Sequence, residues 1–369
     1  MNEADARHLT HAINLSRRGL GRTWPNPAVG CVLVKSGRIL GRGWTQPGGR
    51  PHAETMALAQ AGDAAQGADA YVSLEPCAHH GRTPPCADAL VNAGIARLIC
   101  PMEDPDPRVS GKGLGRLRDA GVEVIMAPEF ASEASDVNAG FLRRQELGRP
   151  LVTLKLALSL DGRIATVRGE SRWITGPQAR REVHLMRANH DAVLIGAGTA
   201  RADDPMLDIR ELGLADASPV RVIADGSLSL SLTSRLAQTA ELQPLWICHK
   251  SEVERDRRAA WDAAGARTLP CATDGDTGAL DLAELLQVLG REGITRILCE
   301  GGGQLAASLL RRDLVDRLVI MQAGLVLGRD GLAGVGAMAD QSLADFARWR
   351  LVELRRIGSD TMSEFRPLR

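Results

Sequence analysis

Apolar residues recur along the chain first at a helical period and then at the period of strands. Leu9, Ala12, Ile13 and Ser16 fall on one stripe of a helix over residues 4–19. The β-branched run AVGCVLVK at 28–35 predicts a strand, SGR a turn, and ILGRGW its hairpin partner. Beyond it the pattern predicts a helix at 53–61, a strand at 70–74, a helix at 87–94 and a strand at 96–100. A helix over GLGRLRDAG and a strand at 122–126 follow. Strands that alternate with helices in this way should lie parallel. Residues 130–150 read as a connecting stretch, closed by the helix-stopping Gly and Pro of ELGRP.

After Pro150 the pattern restarts. LVTLKLAL is a strand, and further strands are expected at 191–196, 219–224, 244–248, 294–299 and 315–321. Helices are expected at 177–188, 251–264, 280–290 and 303–312. This is a second α/β domain, and 369 residues exceed what one core usually organises. The reading is therefore two α/β domains, 1–146 and 147–369, with no internal repeat and no low-complexity tract.

Composition narrows the partners. Lys plus Arg and Asp plus Glu number 45 each, so the chain lacks the basic footprint of a general nucleic-acid binder. No run of about 18 apolar residues suggests a membrane span. The N-terminus MNEADARHLTHA has no signal-peptide apolar core. Seven cysteines (Cys31, Cys77, Cys86, Cys100, Cys248, Cys271, Cys299) are an odd number spread widely, which argues against a disulfide framework and for a reducing cytoplasm.

Two segments carry metal chemistry. PHAETMAL at 51–58 holds His52 and Glu54, and SLEPCAHHGRTPPC at 73–86 holds Cys77 and Cys86. His-x-Glu followed by Pro-Cys and a second cysteine is the signature of zinc deaminases. Three protein ligands leave a fourth position for water, as in catalytic zinc sites. The metal lowers that water's pKa towards about 7, and a nearby carboxylate must then move protons to the departing amine. Glu54 is that candidate. Residues two apart on a regular helix point about 200° apart, so His52 and Glu54 share the metal only if His52 opens the helix. Pro51 supports that placement. Pro84-Pro85 likewise sets Cys86 at a helix start, where the dipole favours a thiolate. Spacing alone leaves His79 and His80 as competitors of Cys86 for the third position, because zinc cysteines are usually two to four residues apart.

PNPAVGCVLV (25–34), GRPHAETMAL (49–58) and SLEPCAHHGRTPPC (73–86) resemble the N-terminal half of the bifunctional riboflavin-biosynthesis deaminase/reductase family. The resemblance runs over essentially the whole chain. It implies a cytidine-deaminase-like α/β/α domain, with His52, Cys77 and Cys86 on zinc, Glu54 as proton carrier and Asn26 in the pyrimidine pocket. The long gap between the cysteines is normal in that family. His79, His80 and Arg82 in the gap, and Arg108 and Lys112 in DPDPRVSGKG (104–113), are candidate contacts for a phosphorylated substrate.

The second half has no GxGxxG after its first strand, but ITRILCEGGGQLAASLL (294–310) runs from a strand through three glycines into a helix, a place where phosphate can meet a helix N-terminus. TLKLALSLDGRIA (153–165), SRWIT (171–175), VLIGAGTARADDPMLDIR (193–210) and CEGGGQLAASLL (299–310) resemble the reductase half of the same family, which is dihydrofolate-reductase-like and uses NADPH. That resemblance implies cofactor contacts at Ala157, Trp173, Thr199, Asp203 and the run Gly302, Gly303, Gln304, Leu305, Ala306, Ala307 and Ser308. Substrate contacts are implied at Ser171, Arg187, Leu207, Arg210 and Glu300, and two arginines suit a ribose phosphate. Lys155 is a candidate for orienting or protonating the sugar, against the plainer reading of a snorkelling strand lysine. After RVIAD (221–225), where relatives carry Ser, this chain has Gly226 ahead of Ser227.

The implied chemistry is zinc-dependent deamination of 2,5-diamino-6-(5-phosphoribosylamino)pyrimidin-4-one, then NADPH-dependent reduction of its ribosyl group to ribityl. Expected partners are this small phosphorylated pyrimidine and other copies of the chain, with neither nucleic acid nor membrane. Two rival readings remain at this level. A nucleic-acid-editing deaminase fused to an unrelated domain is disfavoured by zero net charge and 3% aromatics. A zinc-stabilised interaction protein is disfavoured by Glu54, since structural zinc needs no proton carrier.

Overall fold

In the computed structural model, which describes residues 1–79, 84–107, 109–338 and 342–368, glycines let the first hairpin sit directly against two helices. α1 (Glu3–Ser16) starts with a capping box between Asn2 and Asp5 and buries Leu9, Ala12, Ile13 and Ser16. β1 (Gly30–Lys35) and β2 (Arg38–Trp44) form the antiparallel hairpin. A Cβ on Gly30 would lie 1.9 Å from the Ala12 carbonyl oxygen of α1. On Gly41 and Gly43 it would lie 2.1 Å from the carbonyls of Ala57 and Ala53, in α2 (Ala53–Ala61). Small residues on both sides thus fix the helix that His52 caps.

The remaining elements of this unit, Met1–Gly148, are β3 (Asp69–Val72), α3 (Cys86–Asn92), β4 (Arg97–Cys100), α4 (Lys112–Asp119) and β5 (Glu123–Met126). Sheet order is β2-β1-β3-β4-β5. β1 is antiparallel to both neighbours, while β3, β4 and β5 are parallel. β2 therefore points the same way as β3. The carboxyl ends of β2, β3 and β4 share one edge, and α2, α3 and α4 start beyond it. Alternation along β1 fills two cores, with Cys31 and Leu33 in one and Val32 and Val34 in the other.

Residues 130–150 are not a simple connector. They form α5 (Ala131–Val137) and α6 (Ala139–Leu147). Ala134, Val137 and Phe141 give them a buried stripe. Asn138 breaks the run because its side chain leaves to accept the Ala28 N–H at 2.9 Å. Gly148, in the left-handed region at φ 69°, ends α6.

The second unit, Arg149–Arg369, is built on β6 (Leu151–Leu158), β7 (Arg163–Ala165), α7 (Pro177–Ala188), β8 (Ala192–Gly196), α8 (Ala197–Asp203), β9 (Val220–Ala224) and α9 (Arg235–Gln238). It continues through β10 (Leu245–Lys250), α10 (Arg255–Ala263), β11 (Arg267–Cys271), α11 (Leu282–Arg291), β12 (Arg296–Cys299), α12 (Gly303–Arg311), β13 (Arg317–Gln322), β14 (Leu332–Ala333), β15 (Trp349–Ile357) and β16 (Asp360–Pro367). The main sheet runs β11-β10-β9-β8-β12-β6-β13-β16-β15. It is parallel from β11 to β13, with β16 and β15 antiparallel at one side. From β8 the chain steps outward to β11, returns to β12 beside β8, and then leaves in the other direction. Ligands of open parallel sheets bind outside the carboxyl ends at such a reversal.

The pattern reading missed β11, whose Pro270 lacks a ladder donor and is tolerated on an edge. It also missed the β15–β16 hairpin, since β15 has no buried face. α8, α9 and the short β7–β14 pair were too brief to show periodicity.

Buried polar groups lock the central strands. Asp316 accepts both Arg149 guanidinium nitrogens at 2.7 and 3.0 Å and the Val152 N–H at 2.9 Å. Asp191 accepts from the Thr295 N–H and hydroxyl and the Arg296 N–H. His190 donates from Nδ1 to the Met186 carbonyl at 2.7 Å and accepts at Nε2 from the Thr153 hydroxyl at 2.9 Å. Burial, with Arg296 nearby, pushes its pKa down to about 3. His190 is thus neutral in the fold, whereas the unfolded chain takes up its proton near pH 6.5. Its stabilising effect is complete above that pH and is lost as pH falls from 6.5 towards 3. Stability should fall there by up to ~1.4 kcal/mol per pH unit. His190→Gln should flatten this slope in urea melts of the second unit; an unchanged slope would assign it to other groups.

Candidate functional sites

His52 is the N-cap of α2, with extended backbone, and Glu54 lies in the first turn. The helix opening is what lets both side chains face one point. Cys77 lies beyond the carboxyl end of β3, and Cys86 is the first residue of α3, behind the N-cap Pro85. His52 Nδ1 lies 3.2 Å from Cys86 Sγ and 3.6 Å from Cys77 Sγ. The three donor atoms lie within 4.8 Å of one another. Tetrahedral zinc, with Zn–N near 2.0 Å and Zn–S near 2.3 Å, sets such donors about 3.5–3.8 Å apart. The set fits that ion. The Cys86 N–H donates to Cys77 Sγ at 3.3 Å, and the Ala87 N–H to the Cys77 carbonyl at 3.2 Å, so the start of α3 is tied to the metal loop.

Hydrogen bonding from the Cys86 thiol, aided by His52 and the Cys86 amide, holds Cys77 down to about 4 despite burial. Cys86 is pushed up, first by the Cys77 thiolate and then by burial. A bound dication favours the thiolate of both. Glu54 is only 3% exposed, and burial raises its pKa. A carboxylate so placed can take up a proton and release it.

Among the described residues His79 does not join the donor cluster. Its Nδ1 is buried without a hydrogen-bond partner among the described residues. His80, Arg82 and Arg108 lie outside the described residues. Lys112 is exposed at the start of α4, where Nζ donates to the Pro107 carbonyl. Asn26 donates from Nδ2 to the Gly49 carbonyl at 3.3 Å. Gly49 has φ 79°, and a Cβ there would lie 1.9 Å from Asn26 Nδ2. That glycine admits the asparagine against the turn leading into His52.

In the second unit Lys155, still inside β6, Arg187 of α7 and Glu300, just after β12, meet where β12 ends. Arg187 grips Glu300 through Nε at 2.6 Å and Nη2 at 3.1 Å, and Lys155 Nζ lies 3.2 Å from Glu300 Oε2. Burial alone would raise the Glu300 pKa, but the two cations hold it down to about 2. Arg187 also donates to the Asp208 carbonyl at 2.8 Å, and the exposed Arg210 lies 3.3 Å from the Asp208 carboxylate. Leu207 is buried with φ 55°, a strained choice for a leucine.

The Gly302 N–H donates to Thr199 Oγ1 at 3.0 Å, joining the starts of α8 and α12. α12 has no side-chain cap, so its first turn suits a phosphate. Not every glycine of the run is explained by a ligand. A Cβ on Gly303 would lie 2.6 Å from the Ala333 carbonyl oxygen, so the chain's own backbone requires it. Ala306 and Ala307 are buried, Gln304 is exposed and Leu305 half-buried, and Ser308 accepts from Arg311 of the same helix. Ala157 is half-buried on β6 opposite Met321. Ser171 is half-buried and Trp173 is exposed beneath the Arg180 guanidinium, 4.4 Å away. Arg172 donates to the Asp203 carbonyl at 2.6 Å, bringing this segment to α8. Gly226 is half-buried, and the Ser227 carbonyl accepts from Arg257 at 3.2 Å.

The sequence reading did not single out Asp208, Arg172, Arg180 or Glu75. Asp208 and Arg172 act partly through position beside residues that were named, and Glu75 sits two residues before Cys77. Only proximity in the motifs could have flagged them.

Two family models match the chain: the cytidine and deoxycytidylate deaminase zinc-binding region over residues 2–102, and the RibD C-terminal domain over 150–363. The riboflavin biosynthesis protein RibD of Escherichia coli K12 is 42% identical, across 96% of this chain and 97% of its own length. The Aquifex aeolicus protein of that name is 36% identical across 99% of both. A solved RibD structure from Acinetobacter baumannii matches at TM-score 0.88 and 38% identity, over 100% of this chain and 99% of that one. A diaminohydroxyphosphoribosylaminopyrimidine deaminase/5-amino-6-(5-phosphoribosylamino)uracil reductase from Thermotoga maritima matches at 0.86 and 33%, over 99% of both. The first unit is thus cytidine-deaminase-like and the second dihydrofolate-reductase-like, with zinc and NADPH as cofactors. Sequence, fold and donor geometry converge: the chain belongs to the RibD family, the bifunctional zinc deaminases and NADPH-dependent reductases of riboflavin biosynthesis.

Proposed function

We propose that residues 1–146 deaminate 2,5-diamino-6-(5-phosphoribosylamino)pyrimidin-4-one, and that residues 147–369 then reduce the ribosyl group, giving 5-amino-6-(5-phosphoribitylamino)uracil. The observation that carries this is the His52–Cys77–Cys86 donor set in the same helix opening as the buried Glu54. Bound zinc lowers the pKa of a water there. Glu54 takes the proton of the attacking water and passes it to the departing amine, so water enters and ammonia leaves. Asn26, which bonds the Gly49 carbonyl, reads an edge of the pyrimidine in this reading.

In the second step NADPH supplies the hydride. Thr199, Asp203, Trp173, Ala157 and the backbone from Gly302 to Ser308 form its cradle in this reading. Arg187, Arg210, Ser171, Leu207 and Glu300 hold the phosphorylated substrate. Lys155, paired with Glu300, protonates the opening sugar at its ring oxygen in this reading as hydride reaches C1′ and the ring C–O bond breaks. Support comes from the meeting of Lys155, Glu300 and Arg187 where β12 ends. The family match over the second half leaves no place for an unrelated domain beside a nucleic-acid-editing deaminase.

The decisive assay supplies the diaminopyrimidine phosphate with and without NADPH and follows ammonia and NADPH absorbance. Ammonia without NADPH oxidation would remove the reductase role; neither signal would sink the whole reading. The same reading places the enzyme in the cytoplasm as a homo-oligomer. β15 supports self-association, since this edge strand exposes Leu351, Val352 and Leu354. A monomeric mass in light scattering would refute it.

A further inference from the structure

Glu75 stands two residues before Cys77, yet its carboxylate serves another segment. It is 3% exposed. Oε2 accepts from the Asp104 N–H at 3.1 Å and the Gly111 N–H at 2.9 Å. Oε1 accepts from the Gly113 N–H at 2.9 Å and the Leu114 N–H at 3.3 Å. α4 starts at Lys112 behind Gly111, an N-cap at φ 72° with no side chain to offer. Glu75 thus performs the capping role from 36 residues away. A Cβ on Gly113 would lie 2.0 Å from the Pro76 carbonyl oxygen, so the first turn of α4 is seated on the backbone just ahead of Cys77. β3 and β4 are parallel neighbours, so the segments after them rise from one carboxyl edge, beside the metal donors.

We propose that Glu75 is a positioning residue of the deaminase, clamping Asp104 and the first turn of α4 (Gly111 to Leu114) against the metal loop so that they form a fixed wall of the substrate site. This rests on the deaminase reading above. The charge matters. Four N–H donors converge on two oxygens at a helix N-terminus, which favours an anion. An amide there keeps one accepting oxygen and turns an NH₂ towards the remaining donors. Glu75 acts through the segment it holds, so its loss should weaken substrate binding rather than remove the metal or the proton carrier.

The test is Glu75→Gln in the full chain loaded with zinc. KM for the diaminopyrimidine phosphate should rise about tenfold or more, with kcat within about threefold. Zinc per chain and NADPH oxidation by the second unit should match wild type. Exchange of the Asp104, Gly111, Gly113 and Leu114 amides should quicken, while that across 52–58 stays slow. Glu75→Asp, which keeps the charge, should recover part of the KM. Faster exchange with unchanged KM would reduce the clamp to a purely structural role and overturn the proposal. Loss of zinc or of kcat at constant KM would also overturn it, by placing Glu75 with the metal. A wild-type chain that releases no ammonia removes the deaminase reading itself and this proposal with it.

Discussion

Glu54→Gln should retain one zinc per chain and lose ammonia release by about 10²–10⁴-fold, the usual contribution of a positioned proton carrier. Glutamine keeps the shape of the side chain in its 3%-exposed pocket, so His52, Cys77 and Cys86 stay in place. What is lost is a group that can accept a proton from water and give it up again. Reduction by the second unit, supplied with the deaminated intermediate, should be unchanged in the same preparation. Metal analysis beside an ammonia assay decides the matter. Normal deamination by the variant would end the proton-carrier role, and loss of zinc would mean that Glu54 serves the metal site structurally.

Glu300→Gln should have the complementary effect, with NADPH oxidation falling at least about 10²-fold while ammonia release persists. The carboxylate is only 8% exposed and bridges Lys155 and Arg187. Removing it leaves two half-buried cations facing each other, and breaking a buried pair this way costs about 3–5 kcal/mol. Urea unfolding of the second unit should shift accordingly. Adding Lys155→Met should restore part of that stability and none of the activity. If reduction stays normal in Glu300→Gln, the triad is structural. Because Glu300 is held down to about 2, it stays ionised in the fold. The stability it gives is complete above about pH 4.5, the ordinary glutamate value. It is lost only as pH falls from there towards 2, so its titration should not shape the reductase profile near neutrality.

Much of this was legible in the sequence where local and global signals agree. The stripe Leu9, Ala12, Ile13 and Ser16 is buried as its spacing requires. Pro51 marked the helix opening at His52, and Pro85 the one at Cys86. Strand order was not legible, because β12 enters the sheet between β8 and β6, elements far from it in sequence. The connector reading of 130–150 failed because a side chain 110 residues from its partner, Asn138 against Ala28, divides two short helices. Lys155 and Glu300 could each be named, but their union with Arg187 depends on three elements distant in sequence coming together. Glu75 was unreadable for the same reason: its partners begin 29 residues downstream.

The two cysteines are set by different parts of the fold. Cys77 is placed by the end of β3, Cys86 by the start of α3, and the Cys86 amide bonds directly to the Cys77 sulfur. Their separation along the chain is therefore a free variable, because the metal is indifferent to how many residues the chain spends between two anchored ends. Insertions and deletions can accumulate between the anchors without moving a ligand.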